Sequence, residues 1–291
     1  MWMFYVLIYG ILKGTREIVK KKSMEKSTVM EVLFFYTLFA FVMVLPDAKN
    51  AGNVPDGFMK WIALKSLFVF SAWILSFHAI KKLPLSLYGV LDLSRVLFAT
   101  LLAVIVLHET LRVSQIMGLV LVSAGLLLLK NPFAKKETVQ EDEIKLFSKE
   151  KTSAVLVIFA LLSCLLNALS GLMDKILMKD LNASQLQFWY TLFMVLYYLI
   201  YILIMRHRLR IRKALKNPWI YLLALLFVVG DRALFVANND PSSRISVMTL
   251  IKQSGAIVTI LAGRFIFKEK NTTHKLICAA IIILGILISV L

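Results

Sequence analysis

The sequence predicts an all-α integral membrane protein whose ten transmembrane helices form two inverted five-helix repeats. Three observations carry that prediction. The 291 residues are 59% hydrophobic with a mean hydropathy of +0.79, beyond the roughly 45–50% apolar content of a soluble domain. Apolar runs long enough to cross a bilayer, about 17–25 residues each, recur from end to end. Short stretches of the first half return in the second half in the same order.

Apolar runs between charged or Pro/Gly-rich breaks place helices near 2–20, 27–45, 59–80, 85–107, 112–129, 152–173, 184–205, 217–238, 243–265 and 274–290. The first is interrupted by Lys13, Arg16 and Glu17, which suit either a cytoplasmic gate or a solvated helix end. Its opening run, MWMFYVLIYGIL, has no small-residue cleavage site, so no cleavable signal peptide is expected. The third helix carries Lys65, Trp73 and His78; a lone His there reads as a hydrogen-bonded packing residue before a proton relay. The fourth carries Tyr88, Asp92 and Arg95, the eighth Asp231 and Arg232, and the ninth Thr249, Lys252 and Gln253. Asp174-Lys175 reads as interfacial. The tenth, LICAAIIILGILISVL, is almost free of polar groups and suits lipid contact or the seam of a homodimer. The longest connection, 130–151, mixes both signs of charge and reads as a solvated cytoplasmic linker between repeats at 1–129 and 152–291. Cys164 and Cys278 both fall in apolar segments and read as packing residues, with no disulfide framework or metal cluster.

The repeat is legible in matched fragments. FFYTLF at 34–39 returns as FWYTLF at 188–193, Trp61-Ile62 as Trp219-Ile220, and LFVF at 67–70 as LFVV at 226–229. Gly14 and Glu17 match Gly171 and Asp174, while Asp92 and Glu109 match Lys252 and Glu269. Five crossings leave the chain on the opposite side of the membrane, so the second copy enters upside down. Transporters built this way hold their sites near the midplane, between the halves.

The closing stretches AVIVLHETL at 103–111, GRFIFKEKN at 263–271 and GLVLVSAGLLLL at 118–129, set in two five-helix repeats, resemble the drug/metabolite transporter superfamily, EamA type. That resemblance covers nearly the whole chain. It implies carriage of small metabolites by alternating access, through a cavity lined by helices one, three, four, six, eight and nine. It does not name the cargo.

Of the 34 Lys and Arg, connections after odd-numbered helices hold 22 and those after even-numbered helices six, with six inside spans. Positive loops stay cytoplasmic, which puts both termini outside, although members of that family are often drawn with both inside. The expected location is a bacterial plasma membrane. The basic loops orient the chain and meet anionic lipid heads; no motif for nucleic acid accompanies them.

A charge at a helix centre costs roughly 2.5–3.5 kcal/mol. Asp92, Arg95 and Lys252 are therefore expected to face a cavity rather than lipid, with Asp92 and Lys252 on opposite walls. The competing reading is mutual neutralisation of Asp92 and Arg95, three apart on one helix. Asp231 and Arg232 are adjacent, point about 100° apart, and need separate partners. Tyr88, Thr249, Gln253, Trp73 and Lys65 fill in the expected site, although Lys65 could instead snorkel. The six cations within spans outnumber Glu17, Asp92 and Asp231, which favours an anionic or zwitterionic small-molecule substrate. No cofactor motif, nucleophile elbow or metal signature is present, so no enzyme is expected. The alternative on the same fold is a flippase for a lipid or lipid head group, which a lateral opening between helices would favour.

Overall fold

The computed structural model describes residues 2–107, 113–128, 143–240, 243, 248, 251–269 and 272–290, and among these every regular element is helical. Helix α1 (Trp2–Lys26) runs past the expected end at residue 20, because Lys13, Arg16, Glu17 and Lys20 are buried within it rather than ending it in water. Helix α2 (Val29–Val44) starts at a capping box. The Thr28 hydroxyl accepts the Glu31 N–H at 3.2 Å and the Glu31 carboxylate accepts the Thr28 N–H at 2.8 Å. A 3-10 turn at Leu45–Asn50 carries Pro46 and ends that crossing. Helix α3 (Phe58–Lys82) is entered through Gly57 at φ 81°, a left-handed backbone that glycine adopts at no steric cost. It stops at Leu83, held extended by Pro84.

The fourth expected span is broken in the middle. Helix α4 (Leu85–Asp92) ends, Leu93 and Ser94 form a turn, and helix α5 (Arg95–Leu107) begins. The chain tightens there into i→i+3 bonds, with Leu93 N–H on the Val90 carbonyl at 3.1 Å and Ser94 N–H on the Leu91 carbonyl at 3.0 Å. Helices α6 (Val113–Leu128) and α7 (Glu143–Leu177) follow. Residues 143–151, expected in the linker, thus belong to a helix, while 129–142 lie outside the described residues. Next come α8 (Ala183–Ile204), the short α9 (Ile211–Leu215), α10 (Pro218–Asn238), α11 (Ser254–Phe265) and α12 (Thr272–Val290). Just before α11, residues 251–252 are helical and Gln253 is a turn whose carbonyl accepts the Ala256 N–H at 2.9 Å. The ninth expected span therefore breaks at the point that matches the break in the fourth.

Among the described residues, six segments are long and apolar enough to cross a membrane: Val29–Asn50, Phe58–Lys82, Leu85–Val106, Ala154–Leu177, Ala183–Ile204 and Pro218–Asn238. Shorter apolar helices cover Ile116–Gly125, Ser254–Phe265 and His274–Gly285. With these apolar helices and an apolar outer surface, the chain is a multi-pass membrane protein. Leu127 is 76% exposed, Phe265 72% and Ile204 71%, which only a hydrocarbon solvent favours.

Helix α1 lies along α10 and α3 along α7; α1 and α4 cross α11; α5 crosses α7; α2 packs on α8 and α10, and α3 on α8. Small residues allow a close crossing of α1 with α11. A Cβ on Gly14 would sit 2.5 Å from the Gly255 carbonyl oxygen, and one on Gly255 2.6 Å from that of Gly10. Helices α6 and α12 meet at Gly125 and Gly285. The Gly285 face of the tenth span is thus taken up within the chain, while Ile277 and Leu284 on the same helix point outward, each 56% exposed.

Candidate functional site

The buried charges converge on one central cavity of about 120 Å³; one water needs roughly 10–15 Å³ on that measure. Helix α1 contributes Tyr9, Lys13, Arg16, Glu17 and Lys20, spaced three and four apart and so on one helical face. Helix α7 contributes Asn167, Ser170, Gly171 and Asp174 with the same spacing. Lys65, Trp73 and Ser76 come from α3, Tyr88 from α4, Arg95 from α5, Tyr190 from α8, and Asp231 and Phe235 from α10. Lys252 and Gln253 enter from the break that precedes α11.

Ion pairs organise the wall. Asp92 holds two cations, Lys13 Nζ at 2.5 Å and Arg95 Nη2 at 2.9 Å, each on its own carboxylate oxygen. Arg16 of α1 meets Asp231 of α10 at 3.2 Å, and Lys65 of α3 meets Asp174 of α7 at 2.9 Å. These two pairs tie together the extensively packed helix pairs α1–α10 and α3–α7. Lys20 and Glu17 pair along α1 at 2.7 Å. Rings shield the cations: Lys65 Nζ stands 3.5 Å from the Tyr190 ring centre, and Arg16 stacks over Tyr9 and Phe227. Lys252 stands 5.8 Å from the Tyr9 ring centre, and among the described residues no carboxylate lies within ion-pair distance of it. Among the described residues, five buried polar atoms of the lining have no hydrogen-bond partner: Arg16 Nε, Arg95 Nε, Glu17 Oε2, Gln253 Oε1 and Asp174 Oδ1, the last held by its ion pair with Lys65.

The structure gathers Lys13, Arg16, Glu17, Lys65, Trp73, Tyr88, Arg95, Asp231, Lys252 and Gln253 around this cavity. Three expectations change. Lys13, Arg16 and Glu17, expected as a cytoplasmic gate or a solvated helix end, are buried in the cavity wall and do not end the helix, since α1 continues nine residues past Glu17. Asp92 stands behind the lining, drawn to Lys13 and Arg95 rather than facing Lys252. Arg232 lies off the cavity, with Nη1 3.0 Å from Asp47 and Nη2 donating to the Ser184 hydroxyl at 2.9 Å. Thr249 lies outside the described residues. Sequence reasoning missed Tyr9, Lys20 and Asp174. Lys20 was hidden in the basic run KKK, and Asp174 read as interfacial although its repeat partner Glu17 was already marked. His78 donates its Nδ1–H to the Ile74 carbonyl, 2.7 Å away, as a packing residue would. Among the described residues no group of three or more His, Cys, Asp or Glu could hold a metal.

The sequence model of the EamA-like transporter family matches residues 1–130 and 154–291. No curated protein matches the sequence. A solved structure described only as "Crystal structure of protein" superposes with a TM-score of 0.67 at 12% identity, covering 99% of this chain and 95% of that one; the fold is shared with it.

Proposed function

The chain belongs to the EamA-like transporter family, and on that premise we propose that it is a secondary transporter moving a small anionic or zwitterionic metabolite by alternating access. The charge balance of the cavity carries this reading. Six cations (Lys13, Arg16, Lys20, Lys65, Arg95 and Lys252) meet four carboxylates (Glu17, Asp92, Asp174 and Asp231), a surplus of two. In a site removed from water an uncompensated cation is costly, and a ligand that brings negative charge offsets that cost. The unpartnered N–H groups of Arg16 and Arg95 are donors for its oxygens, and Glu17 Oε2 and Gln253 Oε1 are acceptors for its N–H or O–H groups. Lys252 is the anchor cation.

Two inverted five-helix repeats support that mechanism. The matched breaks at Leu93–Ser94 and Gln253, the corresponding pairings of α1 with α10 and α3 with α7, and the two separate family matches all fit a pseudo-two-fold axis through the cavity. Broken helices at the repeat interface are where such carriers hold their cargo. The basic loops face the cytoplasm and both termini face out.

Uptake into proteoliposomes tests the reading. Organic acids, amino acids and sugar phosphates should include a transported solute, and Lys252→Ala should abolish its uptake; transport of polyamines alone would contradict it. One observation favours a second reading, a lipid or head-group flippase. An apolar crevice of about 320 Å³ opens between α1, α11 and α12, lined by Leu7, Ile251, Ile257, Ile283 and Leu287, and Gln253 forms part of both its wall and that of the central cavity. A fluorescent anionic lipid scrambled by wild type and not by Lys252→Ala would select that reading.

A further inference from the structure

A second charged cluster closes one end of the bundle, away from the cavity. Glu269, in the turn between α11 and α12, reaches the corner between α3 and α4. One carboxylate oxygen accepts the Leu85 N–H at 2.5 Å; the other accepts the Ser86 N–H at 3.0 Å and the Ser86 hydroxyl. The negative charge thus sits on the first N–H groups of α4, where orphan donors and the helix dipole favour it. Two cations join the cluster. Lys275 of α12 donates to Ser86 Oγ at 2.6 Å and lies 3.8 Å from the carboxylate, and Lys21 of α1 lies 3.4 Å from it and donates to the Leu83 carbonyl at 3.0 Å. Gly263 of α11 presses on the same corner: a Cβ there would stand 3.0 Å from the Ser86 nitrogen.

The elements tied together at this end are those whose middles build the cavity. Helix α1 carries the charged face, α4 carries Tyr88 and stops at Asp92, and α11 follows Lys252 and Gln253. Any opening of the cavity toward this end must part the α3–α4 corner from the α11–α12 turn. Pro84 on one side and the i→i+3 breaks at Leu93–Ser94 and Gln253 offer the hinges. We propose that Glu269 is the latch of this gate: its bonds to Leu85 and Ser86 hold the site closed on the side of the α11–α12 turn, and they break when the site opens there. The latch rests on the alternating-access reading but not on the charge of the cargo. Gln at 269 replaces one carboxylate oxygen with an NH₂ facing N–H donors, so Glu269→Gln both removes the charge and sets donor against donor.

The experiment is sided labelling of Ser76→Cys, in the cavity wall, on the full chain carrying Cys164→Ala and Cys278→Ala. A membrane-impermeant maleimide is applied to right-side-out and inverted vesicles, and a Lys268→Cys reporter identifies the face bearing the α11–α12 turn. Glu269→Gln should speed labelling from that face about tenfold, the population shift expected on losing a charge-assisted bond, and slow it from the other. Ser86→Ala and Lys275→Met, milder changes that decide the matter if Glu269→Gln fails to fold, should each speed it roughly threefold. Unchanged labelling in the folded variants, or full-rate labelling of the latched chain from that face, would overturn the proposal. Loss of cargo binding in Lys252→Ala is read separately, so the latch and the anionic-cargo reading fail independently.

Discussion

Replacing Asp174 with Asn leaves the Lys65 ammonium facing a neutral amide, with both groups removed from bulk water: Lys65 is 1% exposed and Asp174 7%. Breaking a buried pair by removing one partner costs about 3–5 kcal/mol, whereas replacing both partners with apolar groups of similar volume is close to neutral. For a chain of this size that translates to a melting temperature lower by roughly 6–12 °C, at about 2 °C or slightly more per kcal/mol. The Tyr190 ring, 3.5 Å from Lys65 Nζ, retains part of the cation's stabilisation and places the expected loss at the lower end. Lys65→Met with Asp174→Leu should recover most of it. Melting curves of the four proteins in detergent, followed by intrinsic fluorescence, give the cycle. If the single variants melt with wild type, or if their effects simply add in the double variant, α3 and α7 are not joined by this pair and the cavity wall is not built as described.

Other expectations follow from single contacts. Gly14→Val would force a side chain onto the Gly255 carbonyl, 2.5 Å from where its Cβ would lie, and should cost about 1–3 kcal/mol from overpacking, seen as reduced monodisperse yield; Gly171→Val, with nothing within 4 Å of its Cβ position, should be tolerated. Arg232→Ala should leave cargo affinity unchanged within about twofold, since its partners are Asp47 and Ser184 away from the cavity. Glu269 lies between α11 and α12; burial alone would raise its pKa, but the hydrogen bonds from Ser86 and the Leu85 amide, with the Lys21 charge, hold it below the ordinary 4.5. A carboxylate depressed in the fold stabilises it above the unfolded pKa and loses that contribution as pH falls through the folded value. Wild type should therefore melt above Glu269→Gln at neutral pH, and the gap should close as pH falls below about 4.5. A constant gap would mean that Lys21 and Lys275 do not sense its charge.

The site was partly legible because hydrocarbon penalises charge. Arg95 and Lys252 sit too deep in apolar runs to face lipid, and both line the cavity. Adjacency on a helix likewise foretold that Asp231 and Arg232 would need separate partners, and they have them in Arg16 and Asp47. Pairing across helices was not legible. Which carboxylate Lys13 meets depends on how α1 is rotated against α4, and nothing local in the sequence fixes that angle. Lys20 and Asp174 were misjudged for a related reason: a charge near the end of an apolar run looks like the end of the helix, whereas α1 and α7 each carry it inward. The break in the fourth span was invisible because Leu93 and Ser94 are ordinary helix residues.

The central claim is that the cavity carries unmatched positive charge, and thermal shift of the purified protein against a panel of small solutes tests it most directly. The panel holds amino acids, organic acids, sugar phosphates, nucleotides, polyamines and lipid head groups. A ligand at 100 times its Kd stabilises by about 2.7 kcal/mol, which a melting curve resolves. The account predicts that an anion or zwitterion raises the melting temperature of wild type and not of Lys252→Ala. Stabilisation by polyamines alone, undiminished in Lys252→Ala, would contradict it and move the binding role to Asp174 and Asp231.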